Sequence, residues 1–370
     1  MSSRTEDGGI LARAALLALV VFFTVLYGCD APTERRNKAE TPEEPQKEKP
    51  AADRRSGETV EEPTAPETKA TDEPTSSGLA AAHESEIAGA AAMLGGDRSL
   101  QKRASAVYPS PHEAKERRSR MHADGCQLDR SGTESAECTY GDPSSDTTVV
   151  LFGDSHAMIW FPALNEIAKE RNWRLVGLTK SACPPAEVHR YNSFLRREYS
   201  ECAAWRERTV KRIMQEERPM MVVTSTNSTY KVMRDGKRLG RKAGSRALEE
   251  GYVSTLNELR STGAEVVVVN DVPHPSRDIP ECVSRSLDHL QDCATPRSKA
   301  LDHPPVNARA AARAQGAHFI DPTPLLCLEQ VCPAVIGDVL VYRNGAHLTP
   351  TFVRTLIPWL AERLPAPGGS

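Results

Sequence analysis

Thr148-Val149-Val150-Leu151-Phe152-Gly153-Asp154-Ser155-His156 is the stretch that decides the fold. Its first half is apolar or β-branched throughout, as expected of a strand covered on both faces. A Gly-containing turn follows and delivers Ser155 at its mouth, the way a nucleophile is presented above a parallel sheet. Gly-Asp-Ser alone is a weak signal, because all three residues are ordinary turn formers and Ser155 could simply cap the next helix. Placement gives it meaning. Between a buried strand and a helix, the N–H of Ser155 lies where it can stabilise a developing oxyanion.

Working outward, Thr148–Phe152, Arg174–Leu178, Met220–Ser225, Glu265–Asn270 and Ala317–Ile320 read as β-runs. His156–Arg171, Glu198–Glu217, Ala247–Thr262, Pro305–Gln315 and Pro350–Arg363 read as helices. This alternation predicts an α/β fold with a doubly wound, mostly parallel five-stranded sheet. Ligands of such sheets bind beyond the carboxyl ends of the strands, where Ser155 stands. A nucleophilic serine needs a base, and Tyr342-Arg343-Asn344-Gly345-Ala346-His347-Leu348-Thr349 offers His347. It precedes a helix that Thr349 would cap and Pro350 would open. Ser155 and His347 together indicate acyl-transfer or ester-cleaving chemistry. His156 reads as a helix-start or site-lining residue. Asp271 and His274 also emerge past a strand end, and either line the pocket or form a turn.

The bulk properties bound the setting. A formal net charge of −3 gives no general affinity for nucleic acid. The basic run Lys115, Arg117, Arg118 and Arg120 reads as a solvated helix face. Residues 1–29 have the pattern of an export signal: Arg4 and Arg13, then the apolar stretch Ala14 to Tyr27. That stretch is shorter than the ~20 residues of a membrane span. Leu26-Tyr27-Gly28-Cys29 resembles a lipobox, with lipidation at Cys29; a single-span membrane anchor is the alternative. Both place the body on the extracytoplasmic face of the cell membrane. Residues 30–107 carry no Phe, Tyr or Trp and are rich in Pro, Glu, Thr and Ala, the composition of a disordered stalk. The globular domain is expected over 108–370.

Nine cysteines support export. Setting Cys29 aside leaves eight, which fall into close neighbours: Cys126/Cys138, Cys183/Cys202, Cys282/Cys293 and Cys327/Cys332. Eight cysteines allow about 105 connectivities, so proximity suggests this pairing without fixing it. No Cys-x2-Cys pair occurs, and nothing in the sequence calls for a metal or another cofactor.

The combined blocks resemble the SGNH (GDSL-like) hydrolase superfamily. They are most similar to the SGNH domain fused to bacterial membrane-bound acyltransferases that O-acetylate surface polysaccharides. Asp124 to Asp129, Tyr140 to Pro143, Val150 to Ala157, Leu178 to Pro185 and Tyr342 to Thr349 carry the likeness, with Cys282, Cys293, Cys327 and Cys332 in similar segments. It extends from Tyr108 to Leu364 and implies a flavodoxin-like SGNH hydrolase fold. It further implies that Ser155 is the nucleophile and His347 the base. Ser155, Ala182 (in Ser181-Ala182, where the family has Gly) and Asn227 become the oxyanion donors. The family's Asp three residues before the His is Asn344 here. An amide can orient an imidazole but cannot neutralise imidazolium, and Asp338 is the nearest acid in sequence that could substitute. The implied function is an exported, membrane-tethered O-acyl, by default O-acetyl, transferase or esterase acting on cell-envelope polysaccharide. Its acyl donor would be a separate multi-span membrane acyltransferase. The competing expectation, supported by Asn344, is a catalytically impaired SGNH-fold lipoprotein that binds envelope glycan.

Overall fold

The computed structural model describes residues 88–95 and 98–366. The expected export signal, Cys29 and the stalk up to residue 87 lie outside the described residues. The central sheet contains β1 (Gln127–Leu128), β2 (Thr139–Gly141), β3 (Thr148–Gly153), β4 (Arg174–Lys180), β5 (Met221–Ser225), β6 (Glu265–Val269) and β7 (His318–Ile320). Its order is β1–β4–β3–β5–β6–β7, with every neighbouring pair parallel. β2 runs antiparallel beside β4. The expected five strands are all present, and β1 and β2 make the sheet seven-stranded by adding to one edge. Two- and three-residue strands carry too little periodicity to be read from sequence.

Strand β3 is buried at every position and paired on both sides, with Val150 opposite Val176 on β4 and Val222 on β5. Its side chains alternate between two cores. Val149 and Leu151 join one apolar cluster, with Phe161, Leu164, Phe352 and Leu360. Val150 and Phe152 join the other, with Trp205, Tyr252 and Leu256. Helices therefore cover both faces, which is why the strands are continuous apolar runs. The chain goes from β3 to β4 on one side and then returns to β5 on the other. The order thus reverses at β3, and the crevice this creates opens at its carboxyl end. That is where Ser155 lies.

All four close cysteine pairs are disulfides: Cys126–Cys138, Cys183–Cys202, Cys282–Cys293 and Cys327–Cys332. The expectation of a stalk reaching residue 107 needs correction. Gly89–Met93 form a short 3-10 turn whose Ala90 and Met93 are buried in the domain core. The Ala90 N–H donates to Thr355 Oγ1 at 2.9 Å, and Lys102 and Ala104 bond to the backbone of Leu290 and Leu287. Apolar Ala and Met side chains can be buried without aromatic help, so a stretch poor in aromatics still belongs to the fold. Among the described residues no helix is long and apolar enough to cross a membrane.

Candidate active site

The carboxyl ends of four adjacent strands supply most of the site: Ser155 follows β3, Ala182 follows β4, Asn227 follows β5 and Asp271 follows β6. Gly153 makes the first turn possible. Its φ is +146°, and an added Cβ would stand 2.6 Å from the Ser225 carbonyl oxygen and 2.9 Å from Ala157 Cβ. Only glycine fits there. Asp154, fully buried, caps the next helix by accepting from the His156 N–H at 2.7 Å. Its second oxygen accepts from Thr226 Oγ1 at 2.9 Å and from the Asn227 N–H at 3.0 Å. The cap is thus Asp154 and not Ser155, leaving the serine hydroxyl free to react. The same carboxylate ties the nucleophile turn to the loop that carries Asn227, a role with no local signature in the sequence.

His347 arrives from the other end of the chain. Tyr342 and Leu348 form an antiparallel bridge, and the Arg343 N–H donates to the His347 carbonyl at 3.0 Å, closing a tight loop. Thr349 anchors it by capping the helix that Pro350 opens, and its hydroxyl also donates to the Leu340 carbonyl at 2.7 Å. This loop sets His347 Nε2 2.9 Å from Ser155 Oγ. On the far side of the ring, Nδ1 is 3.1 Å from Asn344 Oδ1. The Ala346 and His347 N–H groups donate to the same Oδ1, both at 2.9 Å. Two backbone donors fix which end of the amide is oxygen. Nδ1 must therefore carry the proton, and Nε2 offers its lone pair to the serine, as a general base requires. Burial pushes His347 well below an ordinary imidazole, and the neighbouring His156 and Arg343 add to the effect. The ring is therefore held in its neutral form. Asp338 does not replace the missing acid: it is exposed and accepts from Gln101 Nε2 at 2.5 Å.

Ala182 adopts φ +55°, the left-handed conformation that suits the glycine expected at this position. The Arg190 guanidinium donates to its carbonyl, and the Cys183–Cys202 bridge follows directly. Neither the Ser155 nor the Ala182 N–H is taken by a backbone acceptor among the described residues. Asn227 Nδ2 is 2.9 Å from His156 Nε2. His156, Asp271 and His274 bring their donor atoms within 4.8 Å of one another, close enough for a metal to be considered. Yet His156 Nδ1 and Asp271 Oδ1 are only 2.6 Å apart. Ligands of a tetrahedral zinc stand about 3.3 Å apart. The other Asp271 oxygen accepts from the Ser228 N–H at 2.8 Å. The cluster has the geometry of a hydrogen-bond network. Sequence reading placed all three residues near the site but did not show that they are linked.

The sequence pattern described as "SGNH domain (fused to AT3 domains)" matches residues 122–362. No curated protein is significantly similar to the chain in sequence. Among solved structures, the periplasmic domain of the lipopolysaccharide acetyltransferase of Salmonella ser. Paratyphi A is 14% identical at a TM-score of 0.44, over 60% of this chain and 85% of that one. TesA is 16% identical at a TM-score of 0.30, over 59% of this chain and 100% of that one. The family pattern spans well over half of the residues, with Ser155, Asn227 and His347 all inside it, so the chain belongs to the SGNH domain family of the type found fused to AT3 domains.

Proposed function

We propose that this protein is an exported, membrane-tethered SGNH-type O-acyltransferase or esterase that acts on cell-envelope polysaccharide through a Ser155 acyl-enzyme. The observation that carries this reading is the 2.9 Å contact between Ser155 Oγ and His347 Nε2, with the His tautomer set by Asn344. Ser155 Oγ attacks the carbonyl carbon of the acyl donor while His347 Nε2 takes the hydroxyl proton. The carbonyl oxygen becomes an oxyanion that accepts from the N–H groups of Ser155 and Ala182 and from the Asn227 amide. The intermediate collapses to the acyl-enzyme, and the imidazolium returns its proton to the departing oxygen. A second hydroxyl then repeats the sequence in reverse. Water as acceptor gives an esterase, and a sugar hydroxyl gives a transferase.

Acetyl is the default acyl group through family membership. In the transferase form the donor is a separate multi-span membrane acyltransferase, and tethering would raise the local concentration of this domain beside it. A cleft of about 640 Å³ borders the Asn227 loop through Ser228 and Thr229 and is lined by Tyr230, Lys231, Arg238 and Arg241. It is our candidate for the acceptor glycan. The test is to incubate the full chain with an activated acetyl ester and follow both product and protein mass. Transient acetylation of Ser155, with ester turnover abolished in Ser155→Ala, is the expected outcome. Equal turnover by Ser155→Ala, or no acylation alongside retained glycan binding, would replace this reading with that of a non-catalytic binding lipoprotein.

A further inference from the structure

Behind the nucleophile stands a second imidazole–carboxylate pair that the acyl-transfer steps do not use. His156 and Asp271 are almost wholly buried and 2.6 Å apart, with His274 Nε2 3.3 Å from Asp271. On its other side, His156 Nε2 faces Asn227 Nδ2 at 2.9 Å. The Asn227 amide cannot be turned round, because its Oδ1 accepts from the Thr229 N–H at 2.8 Å and from Thr229 Oγ1 at 2.6 Å. Nε2 therefore receives a hydrogen bond and must carry a lone pair, which puts the only ring proton on Nδ1, facing Asp271. Burial resists charge on His156, but the Asp271 and Asp154 carboxylates outweigh it and raise the ring above an ordinary imidazole. Against that pull, the contact with Asn227 Nδ2 forms only with a neutral ring, because a protonated Nε2 could not accept from the amide.

We propose that His156 and Asp271 are positioning residues that lock the Asn227 side chain, so that its second amide hydrogen is held ready for the oxyanion; this rests on the acyl-enzyme reading above. An amide donor contributes most when it is oriented before charge develops, since nothing then has to reorganise during the reaction. The Asn227 backbone is fixed by Asp154, its amide oxygen by Thr229 and its amide nitrogen by His156. A histidine suits the last place only if it presents an acceptor. Asp271 ensures that, because its carboxylate accepts from Nδ1 on one oxygen and from the Ser228 N–H on the other.

Asp271→Asn makes the sharpest test. The Ser228 N–H would hold the new amide's oxygen, turning its NH2 toward His156 Nδ1. The proton would then move to Nε2, where it collides with the Asn227 amide. Kinetics with an acetyl ester should show Asn227→Ala lowering kcat by about 10²–10³-fold. Asp271→Asn and His156→Ala should each lower kcat by about 10–100-fold, by analogy with the loss of a partner that orients a metal ligand, with KM nearly unchanged. His156→Gln keeps an acceptor and should recover much of the loss. In an Asn227→Ala background, His156→Ala should cost nothing more, because the group it positions is gone. Wild-type kcat in Asp271→Asn, or full additivity with Asn227→Ala, overturns the proposal. Imidazole 15N shifts supply a readout independent of turnover. They should show His156 protonated on Nδ1 in the wild type and on Nε2 in Asp271→Asn; an Nε2 proton in the wild type overturns the proposal. If instead turnover proves independent of Ser155, the acyl-enzyme reading fails while the tautomer result still judges the pair.

Discussion

Asn344 is where the site departs from an acid–base–nucleophile triad, and its hydrogen bonds set the size of that departure. In the serine-protease precedent, Asp-to-Asn costs about 10⁴ in kcat because the imidazole adopts the wrong tautomer. Here two backbone N–H groups hold the amide oxygen against His347 Nδ1, so the tautomer is the right one. What is lost is the difference between a neutral and a charge-assisted hydrogen bond, roughly tenfold. Asn344→Asp should therefore raise kcat about tenfold; a gain near 10⁴ would show that the amide is turned the other way. The pH profile supplies a second readout. Because burial depresses His347, the neutral base persists below the ordinary imidazole value of 6.5, and the acid limb of kcat/KM lies under it. The introduced carboxylate favours imidazolium, so that limb should move to higher pH. Folding stability has the same sign: the unfolded chain takes up the proton first, so stability falls as pH drops below about 6.5. The placement of Ser155, Asn227 and His347 at one sheet edge was legible because each follows or precedes an element with a strong sequence signal. The bridging role of Asp154 and the His156–Asp271 link were not, because each depends on loops far apart in sequence meeting at one sheet edge.

The elements that matter most are the turns after the strands, not the strands themselves. Strand positions could be read within a residue or two, because buried parallel strands are short apolar blocks. Helices were less legible. The helix expected over His156–Arg171 divides into Ser155–Met158 and Phe161–Glu170, since Pro162 cannot donate a helical hydrogen bond. The helix expected from Ala247 begins at Arg241, its first turn disguised by Gly244. Gly153 shows how tightly the nucleophile turn is specified. Gly153→Ala should cost about 1–3 kcal/mol by thermal unfolding, the range for strain at a special backbone position. It should also reduce ester turnover, because the turn that moves carries Ser155. An alanine variant as stable and active as the wild type would mean that the Ser225 carbonyl can retreat freely.

At the scale of the molecule, the domain is larger than its family pattern. The pattern begins at residue 122, whereas among the described residues burial in the core is already present at Gly89. Composition had suggested a boundary at residue 108, because an aromatic-free stretch rich in alanine and charge looks like a linker. The small apolar side chains of Ala90 and Met93 were enough to bring it back to the core. Met93→Ala should lower the unfolding free energy by about 2 kcal/mol, the lower end for a buried methionine. Urea denaturation would measure it, and an unchanged midpoint would make this segment a passive attachment.

Where that segment docks has a practical consequence. The Gly89 N–H donates to the Gly337 carbonyl, and the Tyr108 backbone bonds to Asp338 and Leu340, a few residues before the loop of Asn344 and His347. A protein shortened to begin at Tyr108 would retain Ser155, Asn227, His347 and the Tyr108 bonds, yet lose the Gly89 contact that braces the polypeptide leading to His347. Such a truncation could be mistaken for an inactive enzyme, so recombinant versions should start upstream of Ala88.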